Sequence, residues 1–293
     1  MKPLPQGKGL YVWMIKSMPV NWVEEFKRMG IRWIAVKVAD GVNSFNLRPL
    51  DNGGWSDDIL QPFINKARAA GIRVGGWQYV YGFNPLDEAE KAAKRIEKFA
   101  LDFFLIDAEG EYQGKHTQAS QYSQLLRKLA PHIPIALSSY RFPDKFPTFP
   151  FAEFLQHCDF NAPQVYWNKA KAAAECRECY YQYQRIKDLP YIPAGRAYFG
   201  EGFPEPTPLE VNNFMEEAQD LDAPAAFFWS ADFLYHRLHK EKMTPIREAI
   251  AAYKWDVDEP QPDPPEPPLP VPSEAWASVE IDGVNYEGEL KRV

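Results

Sequence analysis

Short apolar runs alternate with longer amphipathic segments from residue 9 to residue 253. The short runs are rich in β-branched and aromatic residues, which favours strands, whereas the longer segments repeat apolar residues every three or four positions, which favours helices. Eight strands are predicted, at Gly9–Met14, Ile31–Val38, Ile72–Tyr79, Asp102–Asp107, Ile133–Ser138, Phe160–Tyr166, Tyr191–Tyr198 and Ala225–Trp229. A helix is predicted after each strand, so the pattern indicates eight βα units.

Capping signals mark several helix boundaries. Asn84-Pro85 opens the third helix, because Asn favours the N-cap and Pro suits the first turn. Thr207 and Glu210 have the spacing of a capping box. Gly30 and Gly71 stand just before strands, where a helix that ends in a left-handed residue needs glycine.

The number of βα units decides between two α/β architectures. Eight units in a chain of this length are typical of a (β/α)8 barrel, the TIM barrel. A doubly wound sheet is the alternative, and it is expected to carry a glycine-rich phosphate-binding turn after its first strand. No such turn follows Met14, so the sequence predicts the barrel.

The composition changes after Trp255. Residues 256–272 are rich in proline and acidic side chains, which is typical of a semi-rigid linker. Residues 273–293 alternate around Asp282-Gly283, which predicts a short β-hairpin or a partial module. We therefore expect a barrel over residues 1–255, a linker, and a C-terminal hairpin that offers a contact to another protein through its strand edge.

Charge and hydropathy exclude two classes of partner. The formal net charge of the 293 residues is -7, and no run of Lys or Arg suits nucleic acid. No apolar run is long enough to cross a bilayer, so we expect no membrane partner. Pro3, Pro5 and Gly7 interrupt the segment in which a signal peptide would be apolar, which predicts a chain that is cytoplasmic when made.

Aromatic residues make up 15% of the chain, and many stand at the predicted strand ends. Barrel enzymes have their active sites at these ends, and aromatic faces stack on the apolar faces of sugars. The candidate substrate-binding residues are Lys37, Asp40, Trp77, Tyr79, Tyr140, Gln164, Tyr166, Trp167, Arg196, Tyr198, Trp229 and Asp232. These residues at the strand ends predict a carbohydrate-binding site. For any single aromatic ring, the alternative is that it only fills the mouth of the barrel.

Asp107 and Glu109 form a close pair of acids at the end of the predicted fourth strand. Alternate strand residues share a face, so we expect the two carboxyl groups to lie near each other and to raise one pKa. Hydrolysis of a glycosidic bond generally needs one carboxylic acid and one carboxylate. The pair therefore predicts a glycoside hydrolase, with a helix cap or a salt bridge to Lys37 or Arg196 as the structural alternative.

A metal site is the alternative interpretation of the same acids. Asp232 would be a third oxygen ligand beside Asp107 and Glu109 for a hard cation such as calcium or magnesium. The five His lie outside the predicted strand ends, which argues against zinc. Neither a P-loop nor a dinucleotide fingerprint is present, so we expect no cofactor.

Five segments together resemble the glycoside hydrolase family 25 lysozymes, which are barrel muramidases common in phages and bacteria. They lie at four consecutive strand ends and in the last strand, at Val36–Gly41, Val74–Tyr79, Leu105–Glu109, Ile135–Tyr140 and Phe228–Asp232. The resemblance implies that Glu109 is the general acid and that Asp107 stabilises the reaction centre. It also implies cleavage of the β-1,4 bond after N-acetylmuramic acid in peptidoglycan without a cofactor, and it fits a phage-encoded protein released at lysis.

The first strand departs from this family at one position. Tyr11 stands where the family usually carries an Asp, in the segment Gly9–Trp13. The leading hypothesis is a lysozyme-like glycoside hydrolase that acts on a cell-wall or related polysaccharide. The alternative is a non-catalytic carbohydrate-binding or structural barrel of a phage or surface assembly, which would explain the missing acid.

Overall fold

The computed structural model describes residues 2–51, 53–57, 59–200, 202–255, 276–281 and 284–289. It divides the chain into two compact units, residues 1–262 and 263–293. None of the helices in the described ranges is both long and apolar enough to cross a membrane.

The first unit is a closed parallel barrel with helices outside it. Eight strand positions form the ring, at β1 Gly7–Val12, β2 Ile31–Asp40, β3 Arg73–Val80, β4 Phe104–Ala108, β5 Ile135–Ser138, β6 in the two pieces Phe160–Asn161 and Gln164–Val165, β7 Ala194–Arg196, and β8 Ala225–Trp229. Each strand pairs in parallel with its neighbours, and β1 pairs with both β2 and β8. The first piece of β6 pairs with β5 and the second with β7, so this strand closes the ring.

The helices follow the strands in the predicted order. They are α1 Trp22–Arg28, α2 Leu60–Ala69, α3 Pro85–Lys98, α4 His116–Leu129, α5 Phe151–Leu155, α6 Ala172–Ile186, α7 Pro208–Asp220, α8 Ala231–Tyr235 and α9 Thr244–Ala252. The capping box of α7 is present, because Thr207 accepts from the Glu210 N–H and the Glu210 carboxylate accepts from the Thr207 N–H. Gly30 and Gly71 have the predicted left-handed conformation, at φ of 67° and 76°.

Aromatic rings fill the inside of the barrel. The ring of Trp33 lies 5.3 Å from that of Phe103 and 3.7 Å from that of Phe227, measured between centroids. Gly9 and Gly75 leave room for these rings, because a Cβ at either position would overlap Trp33 or Phe103. The lower part of the barrel is therefore a packed core.

The second unit contains a β-hairpin, as predicted. Its strands are β9 Trp276–Ile281 and β10 Val284–Glu289, which pair antiparallel with Ile281 opposite Val284. The predicted turn residues Asp282-Gly283 lie outside the described residues. The sequence prediction of a (β/α)8 barrel followed by a short C-terminal hairpin is confirmed.

Candidate functional site

A cavity of about 870 Å³ opens at the C-terminal ends of the barrel strands. Its lining is mostly aromatic, and the predicted site residues that line it are Lys37, Trp77, Tyr79, Asp107, Glu109, Tyr140, Gln164, Tyr166, Tyr198, Trp229 and Asp232. The parallel strands bring these side chains together because all of their C-terminal ends meet at one mouth.

Gln164 joins the two acids at the bottom of this cavity. Its side-chain nitrogen donates to Asp107 Oδ1 at 2.9 Å and to Glu109 Oε1 at 3.0 Å. Asp107 is buried, whereas Glu109 is half-buried. Because one nitrogen reaches both oxygens, the two carboxyl groups lie on the same side of the cavity, with Glu109 nearer to solvent.

The surroundings of Asp107 favour its protonated form. Burial, followed by the negative charge of Glu109, raises the pKa of Asp107 well above its usual range. The positive charge of Lys37 and the hydrogen bond from Gln164 act in the opposite direction. The pair therefore retains a proton to higher pH than two isolated carboxyl groups would.

Lys37 is the buried cation of the site. Its ammonium lies 4.4 Å from the ring centroid of Phe45 and 4.9 Å from that of Trp77, and it forms an ion pair with Asp40 at 3.3 Å. Asp40 also accepts from the Tyr81 hydroxyl at 3.2 Å. Asp40 is thus outside the cavity lining, and it holds Lys37 and Tyr81 rather than facing the cavity itself.

Tyr11 occupies the position at which the resemblance leads us to expect an acid. Its ring is buried 5.9 Å from Trp77 and 5.3 Å from Trp229, between centroids, and its hydroxyl donates to Ser138 Oγ at 2.9 Å. Burial and the charge of Asp107 raise the pKa of this phenol, so it stays neutral. The first strand therefore supplies packing to the cavity floor and no carboxylate.

Asp232 lines the cavity, but both of its oxygens are engaged. They accept the backbone N–H groups of Trp13 and Met14, each at 2.6 Å. Burial raises the pKa of Asp232 to about 6 in spite of these bonds. Asp232 connects the loop after β1 to α8, the short helix that follows β8, and Trp13 lies beside Trp229 with 6.3 Å between ring centroids.

Besides Asp40, two predicted binding residues lie outside the cavity lining. Trp167 lies beyond the end of β6 and is fully buried outside the barrel against Phe214, at 5.2 Å between ring centroids. Arg196 is also fully buried, and its guanidinium donates to the carbonyl oxygens of Tyr198 and Pro204 in the next loop. Neither side chain lines the cavity.

The loops after the strands add a wall that the strand ends alone did not predict. Its residues are Met14, Ser17, Phe142, Lys145, Phe146, Phe199, Phe203, Phe233, His236 and His239. Tyr140 stacks on Phe146 at 3.8 Å between centroids, and His239 stacks on Phe233 at 4.6 Å. The signal in the sequence was the clustering of Phe shortly after the fifth, seventh and eighth strands.

The acids of the cavity are not arranged as a metal site. Within the described residues, no three His, Cys, Asp or Glu side chains converge so as to hold an ion. Asp232 in particular is occupied by backbone donors. The arrangement instead supports chemistry by the acid pair itself, inside an aromatic pocket suited to sugar rings.

Comparison with known proteins connects the fold to glycoside hydrolases. No family model and no curated protein matches the chain. Among solved structures, a GH18 chitinase from Pseudoalteromonas aurantia is 14% identical with a TM-score of 0.58, over 83% of this chain and 99% of that one. Active domain 2 of a Pyrococcus furiosus chitinase, complexed with chito-oligosaccharides, is 12% identical with a TM-score of 0.58, over 87% and 99%.

A third similar structure is a family 18 N-acetylglucosaminidase from Paenibacillus barengoltzii. It is 10% identical with a TM-score of 0.56, over 84% of this chain and 99% of that one. At these identities the likeness establishes the barrel fold that glycoside hydrolases use, and it does not single out family 25. Function has to be argued from the site.

Proposed function

We propose that this protein is a glycoside hydrolase that acts on a polysaccharide containing N-acetylated hexosamines, such as the glycan of peptidoglycan or chitin. The observation that carries the proposal is the Asp107–Glu109 pair, bridged by Gln164 at the bottom of an aromatic cavity. The resemblance to family 25 lysozymes and the similarity in fold to a chitinase and an N-acetylglucosaminidase support this substrate class.

Glu109 is the general acid in this proposal. It is half-buried and lines the cavity, so it reaches a bound sugar, whereas Asp107 is buried behind it. Glu109 donates its proton to the glycosidic oxygen as the bond from that oxygen to the anomeric carbon breaks, and the leaving sugar departs with a hydroxyl group. The pair shares one proton, and with that proton on Glu109 the Asp107 carboxylate stabilises the positive charge that develops on the retained sugar.

The position of the acids indicates which group attacks the anomeric carbon. The bridged oxygens lie less than about 6 Å apart, which is closer than the separation of roughly 6.5–9.5 Å typical of inverting enzymes. Within the described residues that line the cavity, the only other carboxylate is Asp232, and its oxygens are occupied. Asp107 is buried behind Glu109, which leaves it no direct approach to the anomeric carbon. We therefore propose that the acetamido oxygen of the substrate itself attacks, as in the substrate-assisted glycosidases.

The second step restores the enzyme. Water attacks the anomeric carbon of the cyclised sugar, its proton passes to the Glu109 carboxylate, and the acetamido group is released. Two inversions at the same carbon give a product with retained configuration. The reaction is a hydrolysis, in which one water is consumed and Glu109 regains the proton that it donated.

The test is the release of reducing ends from peptidoglycan, chitin and chito-oligosaccharides by the wild type and by Glu109→Gln. This substitution keeps the shape and removes the acid, so we expect turnover to fall by at least about 100-fold while glycan binding and thermal stability stay near wild type. Glu97→Gln, an exposed glutamate on α3, is the matched control and should be fully active. Full turnover by Glu109→Gln would contradict the proposed role.

One observation favours a second candidate function. Tyr11, near the end of β1, is a neutral buried phenol at the position where the family resemblance implies an acid. The cavity therefore has one acid fewer than that resemblance implies. A non-catalytic carbohydrate-binding barrel needs only the aromatic walls. Glycan binding by both the wild type and Glu109→Gln, without reducing ends from either protein, would establish this second function.

A further inference from the structure

An aromatic residue stands at every second position from the middle of β3 to the exposed loop that follows it. The four are Trp77, Tyr79, Tyr81 and Phe83. Trp77 is buried and Tyr79 is half-buried in the cavity lining, whereas the Phe83 side chain is 73% exposed. The burial of the row therefore decreases stepwise outward.

The outer three rings form a continuous surface, which we call the Tyr79–Phe83 row. The rings of Tyr79 and Tyr81 are 5.0 Å apart between centroids and meet edge to face. Those of Tyr81 and Phe83 are 6.1 Å apart and nearly parallel, at 12°. Because Tyr79 belongs to the cavity wall, the row continues the cavity onto the outer surface.

Buried bonds hold the backbone of the row in place. The Glu88 carboxylate, at the start of α3, accepts the N–H groups of Tyr81 at 3.2 Å and Gly82 at 3.1 Å. Lys115 donates to the Tyr81 carbonyl at 2.8 Å, and its ammonium lies 4.2 Å from the Phe83 ring centroid. Gly82 has a φ of 66°, which glycine adopts without strain and which directs the chain to the exposed Phe83.

Packing of the protein core does not require the bonds that hold the Tyr79–Phe83 row in place. A single exposed apolar side chain is ordinary on a protein surface. Phe83, however, is the end of an ordered row, and folding gains little from fixing a ring that stays mostly in solvent. A rigid exposed ring beside a binding cavity is instead what a stacking ligand needs, because less order has to be imposed on binding.

Polar groups along the row suit an uncharged ligand that is rich in hydroxyls. Tyr79 donates to Glu111 at 2.6 Å and Tyr81 donates to Asp40 at 3.2 Å, so carboxylate oxygens flank the rings. Lys115 adds a cation at the outer end. The mixed signs favour neither an anionic nor a cationic polymer, whereas sugar hydroxyls can donate to the carboxylates and accept from the ammonium.

We propose that the Tyr79–Phe83 row is a second binding site, which holds the part of a glycan chain that extends out of the cavity. The proposal rests on the proposed function, because it takes the ligand of the cavity to be a glycan. Sugar rings stack on Tyr81 and Phe83 through their apolar faces. The row therefore makes the protein bind polymers more tightly than oligosaccharides that the cavity alone accommodates.

The test compares Phe83→Ala with Tyr181→Ala. Tyr181 is an aromatic residue on α6 that is 52% exposed and lies outside the row, so it is the matched control. Both substitutions are made in the wild type and in Glu109→Gln, which binds without turnover. The measurements are binding to insoluble chitin and peptidoglycan, binding to a disaccharide and a trisaccharide of N-acetylglucosamine, and thermal unfolding.

We expect Phe83→Ala to weaken polymer binding about 3- to 10-fold, the range of a lost aromatic contact. Its binding of the short oligosaccharides and its unfolding temperature should equal those of Tyr181→Ala, because Phe83 is exposed. In the background that retains Glu109, KM for the polymer should rise while kcat on a short substrate stays the same. Equal polymer binding by Phe83→Ala and Tyr181→Ala would overturn the second site.

The outcomes also separate this inference from the proposed function. If the wild type hydrolyses a glycan and Phe83→Ala does not change polymer binding, the proposed function stands and the second site is overturned. If polymer binding depends on Phe83 but no glycan is hydrolysed, the second site stands and the proposed hydrolase function is overturned. The absence of binding to every glycan overturns both.

Discussion

At the scale of single residues, the amide of Gln164 connects the two members of the acid pair. It donates to both carboxyl groups from one nitrogen, and the other forces on Asp107 are strong and opposed. Burial and Glu109 favour the protonated form of Asp107, whereas Gln164 and Lys37 favour the ionised form. The uncharged amide of Gln164 therefore acts with Lys37 against burial and Glu109 in setting the pKa of Asp107.

Gln164→Met keeps the length of the side chain and removes both hydrogen bonds. Since the bond from Gln164 lowers the pKa of Asp107, its loss raises that pKa, so the acidic limb of the pH–activity profile should move to higher pH. We expect kcat to fall by about 10- to 100-fold as the pair loses its alignment. The measurement is the pH profile of kcat/KM, with the surface substitution Gln61→Met as the control, and an unmoved acidic limb would contradict this role.

At the scale of elements, Asp232 is a buried connection between the loop after β1 and α8. Its carboxylate accepts two backbone N–H groups, from Trp13 and Met14, and burial raises its pKa to about 6. An acid whose pKa is higher in the folded state binds its proton more tightly there. The carboxyl group therefore contributes more to stability when protonated, and this contribution is lost as the pH rises through 6.

Comparison of the wild type with Asp232→Asn isolates this effect. Between about pH 7.5 and 4.5 the free energy of unfolding of the wild type should increase by about 2 kcal/mol relative to that of the variant, which has no carboxyl group to titrate. Chemical denaturation at both pH values measures the difference. A difference that does not depend on pH would show that Asp232 has an ordinary pKa.

The comparison of elements also shows what the sequence could and could not predict. Apolar patterning predicted all eight strand positions, and for Ala225–Trp229 it predicted both ends. It did not predict that β6 breaks at Ala162-Pro163, where a proline lacks the N–H that a central strand needs. It also did not predict that β6 ends at Val165, so Trp167 was grouped with Tyr166 although its side chain packs against Phe214 outside the cavity lining.

The residues that the loops contribute to the cavity wall were not predicted from the sequence, for a different physical reason. Phe203 and His239 are far apart in the sequence and line one cavity because the barrel closes. Strand ends are brought together by a known rule, whereas loop side chains are placed by packing on one another, as His239 is placed by Phe233. The acid pair followed from spacing alone, but its partner Gln164 required the fold.

At the scale of the whole molecule, contacts of the first unit extend to the residues just after α9. Lys8 is buried, donates to the carbonyl oxygens of Ile250 and Tyr253 at 2.7 Å each, and has its pKa lowered to about 8 by burial. Tyr253 in turn donates to Gln219 at 2.6 Å, and its ring lies 6.1 Å from that of Trp255 between centroids. We propose that residues 1–255 fold by themselves, as the composition change at this point predicts.

Two shortened chains test this boundary. A chain that ends at Trp255 should unfold at the same temperature as the full chain and should retain its hydrolysis of short oligosaccharides. A chain that ends at Ala252 loses the carbonyl that accepts from the buried Lys8 ammonium and the hydrogen bond to Gln219. It should be destabilised by about 2 kcal/mol or more, because a buried charged donor loses a partner. Equal destabilisation of both chains would mean that residues 256–293 are part of the folded barrel.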